Sequence, residues 1–151
     1  MNKLLSCALL LSIGLLSFAE EPKPDAAKKA LEPLQGNWTV ASIELKGMAT
    51  PGEQLPTGAV LISGDEISAN EPNFKFKFRL RLHPDTKPMA LDLEADRKGQ
   101  LKDVQEGICV IEGDLLKICL CGIPNLRERP AEFTTAADSN NVLFVLKRSK
   151  P

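Results

Sequence analysis

The chain predicts an all-β domain of about eight short antiparallel strands, closed into a barrel or stacked as a sandwich, behind a short N-terminal helical turn. Three observations carry this expectation. From Gly36 onward, apolar and polar residues alternate in short runs; Gly, Pro, Asn and Asp punctuate the runs; and no long stretch between them has helical period. Without crossover helices, strands that are neighbours in sequence are expected to pair antiparallel in the sheet.

The first element is not part of that domain. Met1-Asn2-Lys3 supplies a positive start, Leu4 to Leu16 an apolar run, and Ser17-Phe18-Ala19 a small-x-small cleavage pattern. Residues 1–19 therefore read as a secretory signal peptide, cleaved after Ala19, and the protein is expected to be exported, periplasmic or secreted. The run stops at Glu20-Glu21, short of the roughly 20 apolar residues a spanning helix needs, so no membrane span is expected after cleavage. Cys7 precedes most of the apolar core, which is the wrong place for a lipid-attachment site. Residues 20–33 form a linker: Pro22 and Pro24 favour extended chain, and DAAKKALE makes a helical turn or two before Pro33. The domain itself is assigned to residues 34–151.

Composition bounds the rest. The chain has 151 residues, 43% hydrophobic and 26% charged, which excludes a disordered chain and suits one domain with one core. Cleavage removes only Lys3 among the charges, leaving 18 basic and 20 acidic side chains and a net charge of −2. Nothing in that balance draws nucleic acid.

Strands are expected at Trp38–Lys46, Ala59–Ser63, Glu66–Asn70, Phe74–Leu82, Met89–Glu94, Gly107–Glu112, Leu115–Cys121 and Asn141–Arg148, with Glu132–Thr135 a candidate for a short extra one. Glu112-Gly113-Asp114-Leu115 reads as a two-residue hairpin turn with a positive φ at glycine. Pairing Glu112 with Leu115 opposes Ile111 to Leu116 and Cys109 to Ile118 on one face, and sends Cys119 and Cys121 to the other. A disulfide among the three is then disfavoured, since residues two apart on one strand are about 6.6 Å apart; the three are expected to be packed thiols.

In Phe74–His83 five apolar residues alternate with Lys75, Lys77, Arg79 and Arg81. The next strand carries Asp92 and Glu94, with Asp96 beyond. Two registers match charge to charge: Lys77 with Glu94 and Arg79 with Asp92, or, slid by two, Arg81 with Asp92, Arg79 with Glu94 and Lys77 with Asp96. The basic face is thus expected to be half of a cross-strand ladder on the outside, rather than an anion-binding strip.

Five phrases occur in order: Leu34-Gln35-Gly36-Asn37-Trp38; His83-Pro84-Asp85-Thr86-Lys87-Pro88-Met89 on to Leu93; Gly107-Ile108 through Glu112-Gly113-Asp114 to Cys119; Arg129-Pro130-Ala131-Glu132-Phe133; and Val145-Leu146-Lys147-Arg148. Together, over about residues 31–148, they resemble the lipocalin-like domain of unknown function that recurs in exported planctomycete proteins. The resemblance implies an up-and-down, lipocalin-like barrel in which Gly36 and Trp38 open the first strand and a basic residue of the last, Arg148 in preference to Lys147, covers the indole and closes one end. The chain departs from the family pattern in having Cys109 where a tyrosine is usual, in having no tyrosine at all, and in carrying the pair Cys119 and Cys121. The resemblance brings no activity with it.

Trp38, Phe74, Phe76, Phe78, Leu80 and Leu91 are the candidate lining of a small barrel interior, with Trp38 read first as a plug of the closed end. An eight-stranded barrel is just wide enough to be filled by its own side chains or to hold one small ligand. No catalytic residue, cofactor or metal site is expected: Cys119-x-Cys121 lacks zinc-knuckle spacing, and nothing brings His83 to a thiol. The expected function is non-enzymatic binding of a small apolar or amphipathic molecule in the interior. The alternative is a protein-interaction or envelope-structural module with a filled core and a protein partner outside.

Overall fold

The computed structural model describes residues 24–55, 58–95 and 103–150. The expected signal peptide, the start of the linker and Asp96 lie outside these residues.

The chain enters as a helix, α1 (Pro24–Leu31), and a 3-10 turn (Glu32–Leu34), then forms nine strands: β1 (Gly36–Leu45), β2 (Met48–Pro51), β3 (Ala59–Ser63), β4 (Glu66–Glu71), β5 (Phe74–His83), β6 (Met89–Ala95), β7 (Asp103–Glu112), β8 (Leu115–Cys121) and β9 (Asn141–Arg148). All pairings are antiparallel. β1 and then β3 to β9 pair in chain order, and β9 returns to β1, so eight strands close a barrel; β2 extends β1 as a hairpin beyond it. Closure pairs each barrel strand on both sides over at least part of its length.

Two departures from expectation concern local chain path. Val40 pairs with Leu146 and Ser42 with Val145, so Ala41 is a bulge. Below it β1 pairs with β3, above it with β2; the bulge releases the upper half of β1 to carry a hairpin the alternation did not reveal. Glu132–Thr135 is not a strand but part of a long strap, residues 122–140, that crosses the barrel's outer face.

The β7–β8 hairpin has the expected register, with Glu112 opposite Leu115 and Cys109 opposite Ile118, and Gly113 at φ 62°. Cys109, Leu116 and Ile118 belong to the interior core, whereas Cys119 packs outside with Ile108 and Leu143, under Phe133 of the strap. Cys109, Cys119 and Cys121 are free thiols, all buried.

β5 and β6 adopt the slid register: Arg79 opposite Glu94, Leu80 opposite Leu93, Arg81 opposite Asp92. The other arrangement, Lys77 with Glu94, is excluded. Lys77 instead reaches Glu66 on β4 at 2.6 Å, Arg79 reaches Asp65 at 3.5 Å, and Arg81 reaches Glu94 at 3.1 Å. The basic strand therefore lies between two acidic ones, a side of the ladder that inspection of β6 alone missed. Each exposed pair contributes only about 0–1 kcal/mol; the consequence is register.

One end of the barrel is sealed. Trp38 is fully buried and its indole N–H donates to the Leu34 carbonyl at 2.8 Å. The Arg148 guanidinium carbon lies 4.2 Å from the ring centroid, and its two terminal nitrogens donate to the Gln35 and Pro33 carbonyls at 2.9 and 2.6 Å. Gly36, at φ 113°, is glycine for its backbone conformation. Leu34 closes the seal beneath, with 1% exposure.

The strap is pinned at three points. Near its start the Asn125 N–H donates to the Val104 carbonyl at 2.8 Å and Asn125 Oδ1 accepts from the Val104 N–H at 3.0 Å. Arg129 donates from Nη1 to the Leu91 and Gly107 carbonyls at 2.8 and 2.7 Å, and from Nη2 to Asp92 Oδ1 at 2.8 Å. Asp92 Oδ2 meets His83 Nε2 at 2.8 Å. Nearer the hairpin, the buried Thr135 hydroxyl donates to Glu44 Oε1 at 2.6 Å and accepts from the Gly47 N–H at 3.0 Å. Thus the Arg-Pro-Ala-Glu-Phe and His-Pro-Asp phrases meet on the outside of the barrel.

Candidate ligand cavity

Strand directions place the first residues of β5 and β7 and the last of β6 and β8 at the end opposite the Trp38 seal. The β5 side chains record the difference: Leu80 and Leu82 are buried, Phe74, Phe76 and Phe78 only half so. Pairing of β5 with β6 stops at Arg79 and Glu94, so among the described residues the phenylalanine half of β5 pairs only with β4. Phe78 stands opposite Ile67 and Phe76 opposite Ala69. The rings pack on one another, Phe74 against Phe76 edge-on at 5.2 Å and Phe76 against Phe78 at 5.6 Å.

These rings form one wall of an apolar cavity of about 160 Å³. Ile118 and Leu120 of β8 with Phe144 and Leu146 of β9 form the opposite wall, and Val40 and Val60 form the floor towards Trp38. Gln105 is the one polar side chain in the lining; its Nε2 donates to the Cys121 carbonyl at 3.4 Å. A cavity of this size and character takes a molecule about as large as benzene, well below the roughly 300–1,000 Å³ of drug-sized pockets.

Of the residues expected to line an interior site, Phe74, Phe76 and Phe78 do so. Trp38, Leu80 and Leu91 do not: their exposures are 0%, 1% and 0%, and they fill the sealed half as core. Gly36, Trp38 and Arg148 meet at the seal. Phe144 and Gln105 were not anticipated. Both faces of β9 read as apolar because the strap covers its outside, where Leu143 packs against Ile108 and Cys119, so alternation could not show which face Phe144 joins.

The cavity lining is apolar apart from Gln105. Burial pushes the Cys109 thiol up to about 12. Burial likewise pushes Cys119 up to about 11, with a backbone hydrogen bond at Thr134 opposing and the nearby Glu44 charge adding to the rise. Both stay protonated near neutrality and are poor nucleophiles. His83 is held by Asp92 on the barrel's outside, away from the cavity lining. Among the described residues no group of three or more His, Cys, Asp or Glu could hold a metal ion. A comparison with family models, with curated proteins and with solved structures gives no match.

Proposed function

We propose that this protein is an exported, lipocalin-like carrier that binds a small apolar molecule, or the apolar end of an amphipathic one, in its barrel without transforming it. The observation that carries this reading is the contrast between the two ends. One is sealed by Trp38, Arg148 and Leu34; the other leaves three phenylalanine rings half-buried around an apolar cavity of about 160 Å³. A barrel serving only as a scaffold gains nothing from that space, since unfilled core volume costs about 24 cal/mol per Å³. Burying apolar ligand surface there returns about 25 cal/mol per Å². The signal-like leader supports export and the five ordered phrases support the lipocalin-like assignment.

The test is native mass spectrometry of protein isolated from its own cell envelope, before and after organic extraction. A discrete excess mass of a small apolar molecule, lost on extraction and regained on adding the extract back, is the expected result. A clean apo mass in both states, with no mass regained, contradicts the reading.

A further inference from the structure

The apolar lining does not stop at the rim. Leu120, in the cavity wall, is the cross-strand partner of Val142; Val142 is the partner of Leu45; and Leu45 is the partner of Met48. Directly paired residues share a face, so an interior stripe continues out of the barrel onto the inward side of the β1–β2 hairpin. There it is exposed, Leu45 by 50% and Met48 by 72%. Along β9 the path from Leu146 to Val142 is roughly 13 Å.

Beside this stripe the rim carries a second, open depression of about 350 Å³. Leu45, Ile123 and Val142 give it an apolar side; Lys46, Ser139 and Asn140 give it a polar one. Lys46 occupies a costly position. It precedes Gly47 in a two-residue turn with φ of 50° and 77°, the pattern in which asparagine, aspartate or glycine is the ordinary first residue. Among the described residues it has no carboxylate within ion-pair distance, whereas Lys77 and Lys117 each have one at 2.6 Å.

From this two-sided rim we infer the ligand class: a single-chain amphiphile with an anionic head, its chain end in the phenylalanine cavity, its middle along Val142, Leu45 and Met48, and its head at Lys46. This rests on the binding reading above and adds the chain length, the head charge and the residues that select them. A ring-sized apolar molecule fills the cavity alone, whereas the rim adds affinity only for something longer.

Titration calorimetry with hexan-1-ol, hexanoate, octanoate, decanoate and decan-1-ol, all below their micelle concentrations, tests it, with the backbone amides of Leu45 and Val142 followed by NMR. Affinity is expected to rise about threefold to fourfold per methylene buried beyond the six-carbon compounds, and decanoate is expected to shift both amides. Met48→Ser, at a mostly exposed position, should weaken decanoate and leave hexan-1-ol unchanged. Lys46→Glu should weaken decanoate by about fivefold and leave decan-1-ol within twofold. If the six-carbon compounds bind but affinity is flat to decanoate and indifferent to Lys46→Glu, the inference is overturned and the cavity reading stands. If no compound binds, both fall.

Discussion

Arg148 lies over Trp38, 4.2 Å from guanidinium carbon to ring centroid, and ties the last strand to the first while also holding the Pro33 and Gln35 carbonyls of the entering chain. One side chain thus closes the barrel, seals its end and anchors the N-terminal turn. Arg148→Met keeps the aliphatic stem but loses the cation–π contact and both charge-assisted hydrogen bonds. It should cost about 2–3 kcal/mol in urea denaturation. Arg148→Lys should recover only part of this, because an ammonium cannot stack and reach two carbonyls in one plane.

Arg129 does the corresponding work for the strap. Its donors satisfy the Leu91 and Gly107 carbonyls and the Asp92 carboxylate, which in turn holds His83. Arg129→Met should destabilise by about 2–3 kcal/mol. It should also raise amide hydrogen exchange across residues 122–140, well before the barrel strands open. Exchange rising uniformly through the barrel instead would mean the strap is not separately tethered.

The outer charge ladder makes a directional prediction. Lys77→Glu should cost less than about 1 kcal/mol, and Glu66→Lys in the same chain should restore it; Glu94→Lys should not, because Glu94 is the partner of Arg81 and not of Lys77. High salt should shrink every one of these differences. Denaturation midpoints of the three variants at low and high salt decide the matter.

Cys109 and Cys119 set an alkaline limit. Their thiols are raised from 9.0 to about 12 and about 11 in the folded protein. Above pH 9 the unfolded chain releases protons that the folded chain keeps, so stability falls as pH rises. The contribution is whole below about pH 9 and is lost through 9–12 for Cys109 and 9–11 for Cys119. Each slope approaches about 1.4 kcal/mol per pH unit. Denaturation at pH 8 and pH 10.5 should show this loss in the native protein and a much flatter response in a Cys109→Ala, Cys119→Ala variant.

Much of this architecture was legible because alternation is strict where only one face is buried. Phe74–His83 has a polar outer face, so its strand, its inward stripe and a choice of two registers could all be read directly. The turn at Gly113-Asp114 likewise gave the faces of Cys109 and Cys119. What escaped was set by tertiary cover. The strap makes the outer face of β8 and β9 apolar, which hid the inward direction of Phe144, and the bulge at Ala41 broke the parity that would have marked β2. Leu80 and Leu91 read as lining because they share a stripe with the phenylalanines; position along the barrel axis, which alternation does not encode, puts them in the sealed half.

The central claim is that the phenylalanine end of the barrel holds an apolar guest. Fluorobenzene is small enough for the cavity, and its ¹⁹F resonance can be titrated against the protein while the Gln105 side-chain amide and the Ile118 and Leu120 methyls are followed by ¹H NMR. A saturable ¹⁹F shift with matching changes at those three residues, abolished when Leu120→Phe fills the space in a variant that still folds, is the predicted result. Linear, non-saturating behaviour in the native protein, or identical binding by the filled variant, would contradict the account.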